Sequence, residues 1–138
     1  MEFKKNISLK KLNTFGINVK CKLYCKVKSE KEVVSVINSE EYKNNSHLIL
    51  SGGSNVLFLK DYGGLIIQNE IKGKEIIEEK SESTILRVGA GENWHKFVLW
   101  SINNGLSGLE NMALIPGNVG ASPMQNIGAY GVEVKDFI

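Results

Sequence analysis

The chain has 138 residues, 42% of them apolar, which is the size of one ordinary globular domain with a real core and leaves no room for a second complete one. Its 17 Lys and Arg against 15 Asp and Glu give a net charge of +2, with lysines scattered singly between apolar positions, so a nucleic-acid-binding stripe is excluded. Met1 to Leu12 alternates charged and apolar residues and lacks the apolar run of a secretory signal or membrane span, so a cytoplasmic protein is expected.

In chain order, Val19 to Lys28 places an apolar residue at nearly every second position and predicts a half-buried strand. Cys21 and Cys25 lie within it as small core residues, because neither a CxxC pair nor further ligands accompany them, and no metal site is expected anywhere in the chain. Ser29 followed by Glu32 is a capping box, and Val33, Val34, Val36 and Ile37 continue a helix over about 30 to 38. His47 to Leu50 reads as a strand, with a Gly-rich loop at Ser51 to Asn55 and a resumed extended segment at Val56 to Leu59. Asp61 to Gly64 reads as a turn before a strand at Leu65 to Gln68.

Lys74 to Lys80 and Thr84 to Gly89 predict a hairpin joined by Ser81-Glu82-Ser83. From Glu92 the period becomes helical: Trp94, Phe97, Val98, Ser101 and Ile102 fall on one stripe, and Asn103-Asn104-Gly105 suits a left-handed helix end. Gly105 to Gly131 then holds six of the 14 glycines, both prolines and a single charge, Glu110, a composition unlike either a surface loop or a disordered linker. Val132 to Ile138 reads as a strand lacking partners. Strands and helices mix without repeats, which gives an α+β class.

Two loops invite a functional reading. Backbone N–H groups in Ser51 to Asn55 could converge on a phosphate, since glycine adopts the conformations such a nest needs, while an ordinary turn explains the same residues. Gly89-Ala90-Gly91 sits between a strand and a helix, but Glu92 stands where a dinucleotide fingerprint needs its third glycine, and its carboxylate would repel an anion there. Small residues and the carboxamides of Asn118, Gln125 and Asn126 make Gly108 to Gly131 a cofactor-binding loop.

That stretch is similar, almost residue for residue, to the signature of the UDP-N-acetylenolpyruvoylglucosamine reductase family. Asn13-Thr14-Phe15-Gly16-Ile17, Gly53-Ser54-Asn55-Val56-Leu57-Phe58 and Gly89-Ala90-Gly91-Glu92-Asn93-Trp94-His95 resemble the same family in the same order. The resemblance implies an α+β FAD-binding fold of the PCMH, or vanillyl-alcohol-oxidase-like, type, incomplete at the C-terminus. A first lobe over about 1–70 and the start of a second over about 71–138 would hold flavin between them, and a substrate-binding domain would lie outside this sequence.

Carried over by position, Ser51, Gly52, Gly53, Ser54, Asn55 and Val56 would meet the FAD pyrophosphate. Pro116, Gly117, Gly120, Ala121, Ser122, Asn126, Gly128, Ala129 and Tyr130 would line the path from adenylate to flavin. FAD would be noncovalent, for these loops offer no tethering His or Cys, and a Val at Gly53 would be expected to cost affinity more than stability.

The reaction implied is reduction of UDP-N-acetylglucosamine enolpyruvate by NADPH through the flavin, in peptidoglycan precursor synthesis. The family's catalytic serine, arginine and glutamate correspond to sequence beyond Ile138, so no catalytic residue is assigned here; Ser54, Ser122, Glu110 and His95 are read as structural. Another PCMH-type FAD oxidoreductase, or a non-catalytic nucleotide-binding module, remains an alternative, and oligomeric state is left open.

Overall fold

A computed structural model describes residues 1–138, which form two compact units, Met1–Ile71 and Lys72–Ile138. No helix is long and apolar enough to cross a membrane.

The first unit is built on a four-stranded sheet in the order β1 (Lys4–Ser8), β2 (Lys20–Val27), β4 (Tyr62–Asn69), β3 (His47–Leu50). β1 pairs antiparallel with β2, while β2–β4 and β4–β3 are parallel. The central strand β4 is therefore covered on both faces, which is why Leu65, Ile66 and Ile67 form a continuous apolar run instead of alternating. One face packs Leu9, Val19, Cys21, Tyr24, Leu50, Phe58 and Ile66. The other packs Leu23, Cys25, Val27, Leu65 and Ile67 against Val36 of helix α1 (Glu30–Ile37).

The Ser29 cap forms as expected, while Glu32 reaches one residue beyond the N-cap. Ser29 Oγ accepts from the Glu32 N–H at 3.3 Å, and the Glu32 carboxylate in turn accepts from the Lys28 N–H at 2.5 Å. A one-turn helix, α2 (Glu40–Lys43), follows, and Tyr42 stacks on His47 with ring centroids 4.0 Å apart.

Two expectations fail in this unit. Val56 to Leu59 is not a strand: Phe58 enters the core, but Leu57 and Leu59 face solvent and no ladder bonds form. The segment pairs with neither edge strand of the sheet, β1 or β3, and apolarity alone leaves it coil. Tyr62, Gly63 and Gly64 are part of β4 and not a turn. Cys21 pairs with Tyr62 and Leu23 with Leu65, so β4 carries an extra residue, a β-bulge. Gly64 permits it, because a Cβ there would lie 2.2 Å from the Ser46 carbonyl oxygen.

The second unit starts with the predicted hairpin, β5 (Lys74–Glu79) and β6 (Thr84–Val88), closed by a Lys80 N–H to Ser83 C=O bond of 2.8 Å. Helix α3 (Trp94–Asn103) buries Trp94, Phe97, Val98 and Ser101, while Ile102, expected on the same stripe, is exposed. Gly105 at φ +73° ends it in the left-handed conformation. Leu109, Met112, Ile127 and Val134 complete this core.

Val132 to Ile138 does not form the strand its pattern suggested. Only Val132–Glu133 (β8) pairs, with Gly128–Ala129 (β7), and Val134 to Phe137 coil into a 3₁₀ turn that seats Val134 in the core. The segment thus satisfies itself locally by hairpin and turn.

Candidate functional site

In the first unit, β3 ends at buried Leu50 and delivers the chain into Ser51 to Val56. Gly53, at φ +65°, reverses it, and its carbonyl accepts the Thr14 N–H at 3.1 Å. A Cβ on Gly53 would lie 2.0 Å from the Leu12 carbonyl oxygen, so the missing side chain makes room for the 12–14 backbone and not for a ligand. That backbone is itself pinned by buried Asn13, whose amide donates to Leu9 C=O (2.8 Å) and Ile17 C=O (3.1 Å) and whose Oδ1 accepts the Ile17 N–H (2.9 Å).

The N–H groups of Gly52, Gly53 and Ser54 donate to no acceptor within the protein. Three successive free donors around a left-handed glycine are what an anion-binding nest requires, although Gly53 itself is buried. Ser51 and Ser54 are half-buried, Gly52 and Asn55 exposed, and Val56 packs against the core.

In the second unit, a mould shapes the other predicted loop. Residues 90–95 and 112–120 run alongside each other, tied by Trp94 Nε1–H to Met112 C=O (2.9 Å), Leu114 N–H to His95 Nδ1 (3.1 Å) and Trp94 N–H to Gly117 C=O (3.0 Å). Asn118 Nδ2 donates to Gly91 C=O (2.8 Å), Val119 N–H to Glu92 C=O (2.9 Å) and Gly120 N–H to Ala90 C=O (2.9 Å). Gly120 is obligatory, since a Cβ on it would come within 2.5 Å of Ala90 Cβ.

Helix α3 offers no anion site, for a reason other than the one expected. Its N-terminus is capped by Asn93 Oδ1, which accepts from Lys96 N–H at 3.0 Å, while the Glu92 carboxylate turns to Gly73 N–H (3.0 Å) and Lys74 Nζ (3.1 Å). Burial pushes the Glu92 carboxyl up, but Gly73, Lys74 and Lys72 outweigh it and hold it below its ordinary value.

Beyond the mould, Pro116 is exposed and Gly117, at φ +123°, half-buried. Ala121 ends one short 3₁₀ turn and Ser122 links it to the next, with the buried Ser122 hydroxyl donating inward to Val119 C=O at 2.7 Å. Asn126, left-handed at φ +41°, accepts from Lys135 N–H at 3.2 Å. Gly128 and Ala129 form β7, and Tyr130 and Gly131, at φ +54° and +81°, make the two-residue hairpin turn, with Tyr130 90% exposed. Leu114, at φ +63°, is 77% exposed as well.

Two contributors escaped the sequence reading. Asn13 was visible in a motif without its buried bonding, and the His95–Leu114 contact joins residues 19 apart that leave no periodic trace. Cys21 and Cys25 are buried free thiols, and no cluster of His, Cys, Asp and Glu could hold a metal.

Residues 21–138 match the FAD binding domain family. Over 136 residues, 99% of the chain, the sequence is 52% identical to the UDP-N-acetylenolpyruvoylglucosamine reductase of Flavobacterium johnsoniae. It is 46% identical to the enzyme of the same name from Amoebophilus asiaticus and 40% to that of Pseudomonas putida. The chain spans about 40% of the length of these relatives. The crystal structure of the UDP-N-acetylenolpyruvylglucosamine reductase from Thermus caldophilus superposes with a TM-score of 0.75 at 24% identity, covering 99% of this chain and 46% of that one, which establishes the shared fold.

Proposed function

The chain belongs to the FAD binding domain family, and on that premise we propose that it carries the FAD-binding loops of a reductase acting on UDP-N-acetylglucosamine enolpyruvate with NADPH in peptidoglycan precursor synthesis, in the cytoplasm. The observation that carries the reading is the run of free N–H donors at Gly52, Gly53 and Ser54, in a loop suited to a pyrophosphate. The names of relatives up to 52% identical over 99% of this chain support the choice of reaction.

In this reading Ser51 to Val56 hold the pyrophosphate through backbone amides. Residues 1–71 are one lobe and 72–138 the start of another. Pro116, Gly117, Gly120, Ala121, Asn126, Gly128, Ala129 and Tyr130 line the remainder of the cofactor through backbone and small side chains, with Ser122 supporting them from behind. Bound FAD would relay hydride from NADPH to the enolpyruvyl double bond. The family's serine, arginine and glutamate are not among these residues, so residues 1–138 alone are expected to give no turnover.

Amide chemical shifts test the reading. FAD added to the labelled chain should perturb Gly52, Gly53 and Ser54, and ADP should reproduce that shift while riboflavin should not. Amides that stay fixed at millimolar FAD would remove the pyrophosphate site.

A further inference from the structure

Leu114 occupies the left-handed region, φ +63°, where an L side chain crowds its own backbone, and 77% of it is exposed, so burial does not hold it there. Its N–H points at one acceptor, His95 Nδ1, 3.1 Å away on the first turn of α3. That nitrogen accepts only when it carries no proton, as in the tautomer with hydrogen on Nε2. The neighbouring bonds to Met112 and Gly117 come from Trp94 and bracket the strained residue on either side.

We propose that His95 is the positioning residue of the Leu114–Gly117 segment: its Nδ1 fixes Leu114 in the left-handed conformation and so sets the backbone that Pro116 and Gly117 present to the cofactor. The role rests on the FAD reading above, since a strained, exposed segment held by an imidazole otherwise has nothing to present itself to. Strain of this kind persists only where surrounding structure enforces it.

The residue is separable from a packing role by chemistry. An Asn at position 95 can place its Oδ1 where Nδ1 stood and accept the same N–H, whereas Gln, matching Nε2 instead, cannot. Amide exchange at Leu114 and FAD titration would be measured in the wild-type chain and in His95→Asn, His95→Gln and His95→Leu.

In His95→Leu and His95→Gln, Leu114 exchange should quicken about tenfold while the Val98 amide is unchanged, and FAD affinity should fall roughly tenfold, the worth of one hydrogen bond. His95→Asn should restore both. Unchanged Leu114 exchange in the Leu and Gln variants, or an Asn variant that behaves like Gln, overturns the proposal. FAD affinity equal in all four, with the wild type binding, overturns the positioning role. A wild-type chain that takes up no FAD counts against the cofactor reading itself, and the exchange series still decides the contact. Should His95→Leu not fold, the contrast of Asn with Gln decides.

Discussion

Gly53 and Leu12 are packed so closely that a single added carbon on the glycine would sit 2.0 Å from the leucine's carbonyl oxygen. The relationship reverses the expectation that Val at this position would cost cofactor affinity more than stability. Gly53→Ala should destabilise the first unit by about 3 kcal/mol, combining overpacking with a left-handed φ. Gly16 is the control: it shares φ +64° but has open space around it, so Gly16→Ala should cost only roughly 1 to 2 kcal/mol. Denaturant midpoints of the two variants measure the difference, and equal losses would show that the Leu12 contact relaxes freely.

The buried cysteines offer a flavin no reactive thiol as a tether, in keeping with noncovalent binding. Burial pushes the Cys25 thiol up to about 11, and Cys21 is raised for the same reason, so at pH 8 thiolate at Cys25 is on the order of one part in a thousand. Both should resist a disulfide reagent in the native chain and react once it unfolds. Acid precipitation of flavin-loaded protein should leave the yellow colour in the supernatant, and colour in the pellet would refute the prediction.

Glu92 makes the second unit acid-sensitive. Its folded-state pKa lies below the ordinary 4.5, so its stabilisation is complete above that value and is lost as pH falls through the folded pKa. Glu92→Gln should cost about 1.5 to 3 kcal/mol at neutral pH, the range for hydrogen bonds to a charged group. The variant and wild type should then converge only as pH falls through the folded pKa, below the ordinary 4.5. A constant gap down to strongly acid pH would show that the carboxylate's charge is irrelevant.

Tyr130 is strained and 90% exposed at the first position of a two-residue turn that prefers Asn or Gly. Tyr130→Asn should raise stability by about 0.5 to 1 kcal/mol. If the tyrosine serves the cofactor, the same change lowers FAD affinity. A loss of both stability and affinity would place Tyr130 in the fold's own packing.

Much of the fold was legible because periodicity reports burial. The alternation through Cys21 and Cys25, the Ser29–Glu32 box and the Trp94–Phe97–Val98–Ser101 stripe each map onto an observed element. Pairing partners were not legible: Val56 to Leu59 looks like a strand but joins neither edge of the sheet, and Gly63-Gly64 looks like a turn because the Ser46 backbone that requires glycine at 64 lies outside the local window. At the candidate site, composition marked the 105–131 stretch, and resemblance, not spacing, gave it a cofactor. The bonds that shape it cross between segments some twenty residues apart, where no local pattern records them.

The mould formed by residues 90–95 also constrains how this sequence can change over generations. Gly120 and Ala90 share one small space, in which a methyl at 120 meets the methyl already at 90. Gly120→Ala alone should therefore be deleterious, whereas Ala90→Gly first removes the nearest obstacle and makes the second step milder, a non-additivity that a double-mutant cycle would read directly. The cost of each substitution therefore depends on which is made first.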